Sequence, residues 1–165
     1  MAEKKTLERA KRDRREGKSP STQAGEFVRE EIEHIRQGKH GARSTKQVIA
    51  IGLSKARRAG VPLKPPAKGR VSEKTLKSAQ SAYKKGQAHE PISKTRSVAR
   101  EKALKRESKS VASPSALSRQ AHEAAKSRTP TERSRAAKKA IKTKGPKKLS
   151  EAAKKAARTR ANKRK

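Results

Sequence analysis

The sequence predicts a mostly α-helical chain with extensive disorder: a small helical hairpin or three-helix module followed by a conditionally helical Lys/Arg/Ala-rich tail. Three observations predict it. Leu, Ile, Val and Phe number only 20 of 165 residues beside a formal net charge of +33, a combination that leaves little apolar surface to set against the entropy of ordering the chain. Twelve of those 20 lie between residues 21 and 86, so that is where a core is expected. Alanine supplies most of the nominal hydrophobic fraction of 29%, and it favours helix while burying very little.

Residues 1–20 hold eight basic and four acidic side chains, and Lys4 to Arg15 reads as a mixed-charge solvated helix or a frayed arm. In residues 21–86, Thr22 is placed to cap a helix from about Gln23 to Gln37. Along it Ala24, Phe27, Val28, Ile32 and Ile35 recur at three- and four-residue steps on one face, and Gly38 and Gly41 end it. A second helix starts at Ser44-Thr45-Lys46-Gln47, a capping-box pattern in which Ser44 and Gln47 satisfy each other's free backbone donors. It presents Val48, Ile49, Ile51, Leu53 and Ala56, then stops at Gly60 before Pro62. The expected module core is therefore Phe27, Val28, Ile32, Ile35, Ile49 and Leu53. After a link stiffened by Pro62, Pro65 and Pro66, Ser72 caps a third helix carrying Leu76, Ala79 and Tyr83 as far as Gly86.

Residues 87–165 form the tail, with 25 basic against six acidic residues and seven large apolar ones. It repeats itself: the run Arg135 to Lys144 recurs as Glu151 to Arg160. Ser113-Pro114, Thr129-Pro130 and Ser150 are start signals, with Pro at a first helical position where its missing N–H does no harm. Gly145-Pro146 divides the last two units. Short helices dense in like charge are marginal alone until an anion screens them.

So large a charge demands a polyanionic partner, with duplex DNA first and RNA second. A solvated helix face mixes signs, whereas this tail carries more than four basic residues per acidic one. The expected phosphate contacts are Lys46, Lys55, Arg57 and Arg58 on the second helix. In the tail they are Arg133, Arg135, Lys138, Lys139, Lys142, Lys144, Lys147, Lys148, Lys154, Lys155, Arg158, Arg160, Lys163, Arg164 and Lys165. The first helix, with Glu26, Glu30, Glu31 and Glu33, would face away from phosphate. The hairpin reads as a structural or dimerising element, a surface for a second copy or another protein through residues 21–60, ahead of a base-reading helix-turn-helix. Recognition by stacking has little to work with, since Phe27 belongs to the core and Tyr83 packs on the third helix.

Other chemistries find no footing. Without cysteine there is no disulfide, thiolate metal site or thiol catalysis. His34, His40, His89 and His122 lack the spacing and acidic company of metal ligands and read as exposed polar positions, so no metal or other cofactor is expected. Gly38-Lys39-His40-Gly41 is not a phosphate-binding loop of the Walker type, and no nucleophile–base pair stands out, so the chain reads as no enzyme. Ser19-Pro20, like the other Ser/Thr-Pro pairs, is a helix start before it is a phosphorylation site. With no apolar run long enough to span a bilayer and no basic-then-apolar leader, no membrane partner is expected and the location is cytoplasmic.

The stretch Gly38-Lys39-His40-Gly41-Ala42-Arg43-Ser44-Thr45-Lys46-Gln47-Val48-Ile49-Ala50-Ile51-Gly52-Leu53-Ser54-Lys55-Ala56-Arg57-Arg58-Ala59-Gly60 resembles the signature of a family of small basic bacterial proteins of uncharacterised function. Its members share a segment of the type K-Q-A-I-A-I-G-L-S-x-A-R-x-x-G, and some are labelled DNA-binding or plasmid stabilisation proteins. The resemblance spans roughly residues 21–86, with Val48 where Ala is commoner. It implies a bacterial, cytoplasmic protein and carries over no catalytic residue. The tail is similar in composition to bacterial linker-histone-like proteins. These readings together lead to the expectation of a nucleoid-associated, sequence-independent DNA binder. The alternatives are a plasmid-stabilisation or regulatory factor acting through a protein partner of the helical module, and an RNA- or ribosome-associated protein.

Overall fold

In a computed structural model describing residues 2–162, apart from the side chain of Lys144, every regular element is helical. The helices are α1 (Lys4–Arg15), α2 (Pro20–Arg36), α3 (Thr45–Arg58), α4 (Glu73–Gln87), α5 (Lys94–Lys105), α6 (Pro114–Lys126) and α7 (Pro130–Asn162), with a short 3-10 turn at Ser110–Ala112 before α6. The mostly α expectation holds. The expectation of extensive disorder does not, because the tail is helical nearly throughout and most of the remainder is folded around two small cores. The chain divides into two units, one ending at Gln120 and the other beginning at Ala121.

In the first unit α1 packs on α2, α2 on α3 and α3 on α4, while the 3-10 turn closes against α2 and α3. One core joins Ala10, Ala24, Phe27, Ala56 and Val61, with Leu7, Leu53 and Leu63 packed against it. The other joins Ile35, Ala42, Val48 and Ala112, with Ile32 and Val111 alongside. Phe27 and Ile35 are thus buried as the sequence indicated. Ile32, Ile49, Leu53 and Val28 are half-buried, and the fully buried large position on α3 is Val48.

Large side chains are few, so the fold gains its packing from close backbone approach. A Cβ on Gly52 would lie 2.6 Å from the Val28 Cα, and one on Gly86 would collide with the Arg57 carbonyl oxygen. A Cβ on Gly41 would likewise run into the Glu107 carbonyl oxygen. Two helix crossings and one contact between loops are therefore built on glycine because no side chain fits between the backbones. Dense contact at short range supplies dispersion that a sparse apolar composition does not advertise.

The element ends differ from the expectation in ways that local chemistry explains. Helix α2 starts at Pro20, where proline takes an N-terminal position and Ser19 precedes it in extended backbone, so Thr22 lies inside the helix. Helix α1 is no solvated arm: Thr6, Ala10 and Asp13 are buried. Lys18 Nζ donates to Asp13 Oδ1 at 2.7 Å and Gln23 Nε2 to the Lys18 carbonyl at 2.9 Å, which fixes the turn between α1 and α2. At α3, Gln47 N donates to Ser44 Oγ at 3.2 Å, while the Gln47 side chain accepts from Arg43 N at 2.7 Å. The capping box is thus displaced by one residue on its return arm.

The end of α5 and the segment after it are tied back to the helical hairpin. Gly41 N donates to the Leu104 carbonyl and Ala42 N to the Ser108 carbonyl, both at 2.9 Å. Thr45 Oγ1 donates to the Val111 carbonyl at 2.8 Å and Arg36 Nε to the Ala112 carbonyl at 3.0 Å. Residues far beyond 86 therefore complete the core begun by α2 and α3.

Candidate nucleic-acid interface

In the second unit, α7 opens with a reciprocal capping box. Glu132 N donates to Thr129 Oγ1 at 3.2 Å and Thr129 N donates to Glu132 Oε2 at 3.0 Å, which satisfies two otherwise free donors. Gly145, at φ 74° and ψ 159°, breaks the helix just before Pro146, leaving two helical arms of about 22–25 Å each at about 1.5 Å per residue. The sequence repeat is also a structural one. Thr143 Oγ1 donates to the Lys139 carbonyl at 2.8 Å, and at the equivalent place in the second copy Thr159 Oγ1 donates to the Lys155 carbonyl at 3.0 Å.

Helical spacing sorts the charges onto faces. Arg135, Lys138, Lys139 and Lys142 fall at i, i+3, i+4 and i+7 and share one stripe of the first arm. Lys147, Lys154, Lys155 and Arg158 do the same on the second, at i, i+7, i+8 and i+11, with Glu151 among them and Lys148 at the flank. Ala136, Ala137 and Ala140 lie opposite the first stripe with Arg133, and Leu149, Ala152, Ala153 and Ala156 lie opposite the second with Arg160. All the basic residues named are exposed. Lys163, Arg164 and Lys165, also expected as phosphate contacts, lie outside the described residues, as does the side chain of Lys144.

Helix α3 presents its basic residues differently. Lys46 is exposed in the first turn. Lys55 turns inward, its ammonium against Glu31 Oε1 and 3.3 Å from Glu30 Oε1. Arg57 is 7% exposed and donates through Nε to the Leu63 carbonyl at 3.1 Å. Its guanidinium is held below its ordinary pKa by burial, yet an arginine stays charged throughout the accessible range. Arg58, half-buried, donates to the Pro91 carbonyl at 3.3 Å. Lys55 and Arg57 thus hold the fold together. With α2, α4 and the 3-10 turn packed on it, α3 has little free face to enter a groove.

The glutamates of α2 do not form one acidic face, because Glu30 and Glu31 are buried against Lys55 while Glu26 and Glu33 pair nearer the surface. Glu26 pairs with Arg9 at 3.5 Å and Glu33 with Arg29 at 3.3 Å. His34 and His40 are buried rather than exposed, which corrects the sequence reading, and they do have acidic company: both face the carboxylate of Glu31. His89 and His122 are exposed. Beyond this cluster, His34 Nε2 lies 2.8 Å from Glu3 Oε1, which also accepts from Lys39 Nζ at 3.0 Å. These two partners hold the Glu3 carboxyl at a pKa of about 2, with the His34 hydrogen bond the larger cause. The signal in the sequence was Glu31-Ile32-Glu33-His34, a spacing that puts both side chains on one helix face. What it could not give was the return of His40, which depends on Gly38 at φ 78°.

No helix among the described residues is long and apolar enough to cross a membrane. No protein-family model matches the chain, and no curated protein or solved structure is significantly similar to it.

Proposed function

We propose that this chain is a non-enzymatic nucleic-acid-binding protein of histone-like type, associated with the bacterial nucleoid, whose α7 neutralises backbone phosphate without reading sequence. Duplex DNA is the principal partner. The observation that carries the reading is the pair of exposed basic stripes, Arg135/Lys138/Lys139/Lys142 and Lys147/Lys154/Lys155/Arg158, which gather like charge along one side of each arm. Phosphate contacts of this kind position a protein and carry no base information. The first unit contributes Lys46 and otherwise acts as a folded body for the basic helix, with Lys55 and Arg57 withdrawn from the contact set.

Counterion release tests the reading directly. The logarithm of affinity for random duplex falls linearly with the logarithm of salt concentration, with a slope near −0.9 per phosphate neutralised. For roughly 6–10 contacts, affinity drops by about 10³–10⁵ between 50 and 200 mM salt. Fluorescence anisotropy with labelled duplexes of unrelated sequence gives the same slope for each. Salt-insensitive binding, or tighter binding to structured RNA than to duplex DNA of equal length, sinks the proposal.

A further inference from the structure

Glu31, His34 and His40 each offer one ligand atom, and these atoms lie within 4.8 Å of one another. His34 Nδ1 is 3.6 Å from Glu31 Oε1, and His40 Nε2 is 3.5 Å from Glu31 Oε2. Both separations are longer than the usual range of about 2.7–3.2 Å for an N–H···O hydrogen bond. They are close to the roughly 3.3–3.4 Å between two donors that each sit about 2.0–2.1 Å from a tetrahedral ion.

The outer nitrogens are already committed. His34 Nε2 is 2.8 Å from Glu3 Oε1 and His40 Nδ1 is 3.0 Å from the Gly41 carbonyl oxygen. A carboxylate and a carbonyl only accept, so each outer nitrogen carries the proton. In the neutral imidazoles, the form that binds a metal, this leaves the lone pairs on Nδ1 of His34 and Nε2 of His40, the two nitrogens aimed at Glu31. A carboxylate or backbone carbonyl behind each imidazole is the arrangement that orients histidine toward a metal and raises its basicity.

Charge leads the same way. Glu30 and Glu31 are buried with Lys55 as the cation shared between them, so with neutral imidazoles this interior holds one more negative than positive charge. At the rim, Glu3 and Lys39 balance each other. Buried net charge is costly unless a counter-ion enters.

We propose that Glu31, His34 and His40 bind one divalent transition ion of the zinc class, the ion replacing the Lys55 ammonium on Glu31. Lys55 is part-exposed on a flexible stem, and Glu30, 3.3 Å from its ammonium, remains as its partner when it yields Glu31. Two imidazoles and a carboxylate suit zinc and leave a fourth position for water. The ion fastens α2 to the loop that carries His40, and that loop is itself hydrogen-bonded to Leu104 and Ser108. Metal binding therefore stabilises the first unit as a whole.

Chelator-stripped full-length protein is titrated with Zn²⁺ against a chromophoric competitor, and its melting temperature is followed in parallel. One equivalent binds and the melting temperature rises with free zinc. His34→Gln and His40→Gln each remove that equivalent, Glu3→Gln weakens it by about 10–100-fold, and Lys55→Met tightens it. Circular dichroism of the metal-free variants checks that they are folded. Co²⁺ bound to the wild type reports geometry without any substitution, by the intense visible bands of a tetrahedral site. Failure of both wild type and Lys55→Met to bind stoichiometrically overturns the proposal. So does binding that survives the double histidine variant, which places the ion on His89 or His122, or a Co²⁺ spectrum indistinguishable from the hydrated ion.

Discussion

Gly52 of α3 meets the backbone of Val28 on α2 so closely that a methyl group there would stand 2.6 Å from the Val28 Cα, 2.8 Å from its N and 2.9 Å from its Cγ2. Two of those three atoms are backbone, so no rotamer change relieves the clash. Glycine inside a helix costs about 1 kcal/mol relative to alanine, and here that cost secures the closest crossing in the hairpin.

Gly52→Ala is accordingly expected to destabilise the first unit by about 1–3 kcal/mol despite the gain in helix propensity. The measurement is a urea midpoint followed by far-ultraviolet circular dichroism. An unchanged or higher midpoint would mean that the α2–α3 crossing is looser than described.

Arg57→Met leaves the Leu63 and Lys64 carbonyl oxygens, now accepting from the guanidinium at 3.1 and 3.5 Å, without that partner in a mostly buried place. Charged hydrogen bonds of this kind contribute about 1.5–3 kcal/mol, so stability falls by an amount in that range. The salt slope of DNA binding stays within one contact of the wild type, because the guanidinium is occupied by its own chain. A marked fall in slope with stability unchanged would return Arg57 to the phosphate-binding set.

Local chemistry is what a linear reading captures. Periodicity and capping find α2, α3 and α4, because Ala24, Phe27, Val28, Ile32 and Ile35 recur at helical spacing along α2 and Ser44 and Ser72 are strong starts for α3 and α4. The Gly145-Pro146 break and the Thr129-Pro130 start in α7 are legible for the same reason. Composition misleads where long-range contact decides. Ala10 and Ala112 look too small to build a core, yet each is buried by a partner distant in sequence. Lys55, Arg57, His34 and His40 look like surface residues until the fold brings carboxylates and carbonyls to meet them. Charge counts say nothing of direction, so four basic residues on α3 read alike in the sequence although the structure turns two of them inward.

Lys18 gives a pH dependence whose sign can be worked out. Its ammonium donates to Asp13 and Glu16, which hold its pKa above the ordinary 10.5, the Asp13 hydrogen bond being the larger cause. A folded pKa raised above the unfolded one contributes stability that is fully present below about 10.5 and is lost as pH rises through the folded value. The difference in melting temperature between wild type and Lys18→Met is therefore constant from neutral pH up to about 10 and shrinks above it. A difference unchanged in strong alkali would show that the Lys18 stem packs on α1 and that its charge contributes nothing.

The arrangement of charge on α7 makes a sharper demand than total charge does. If the stripe formed by Arg135, Lys138, Lys139 and Lys142 faces phosphate, changing all four to Gln removes up to four contacts, and the salt slope should become shallower by about 3–4 units. Arg133 and Arg160 lie on the opposite faces of their arms. Changing both to Gln removes half as much charge but should cost far less than half the slope, under about one unit. Affinity for duplexes of unrelated sequence should fall in parallel for every variant, since no base is being read. Stability of the first unit is the control, because none of these residues takes part in its cores, so its urea midpoint should not move. Equal loss of slope per charge from both sets would show that α7 meets DNA without a preferred face and that its helical pattern is incidental to binding. Loss confined to particular sequences would instead mean that the stripe reaches base edges.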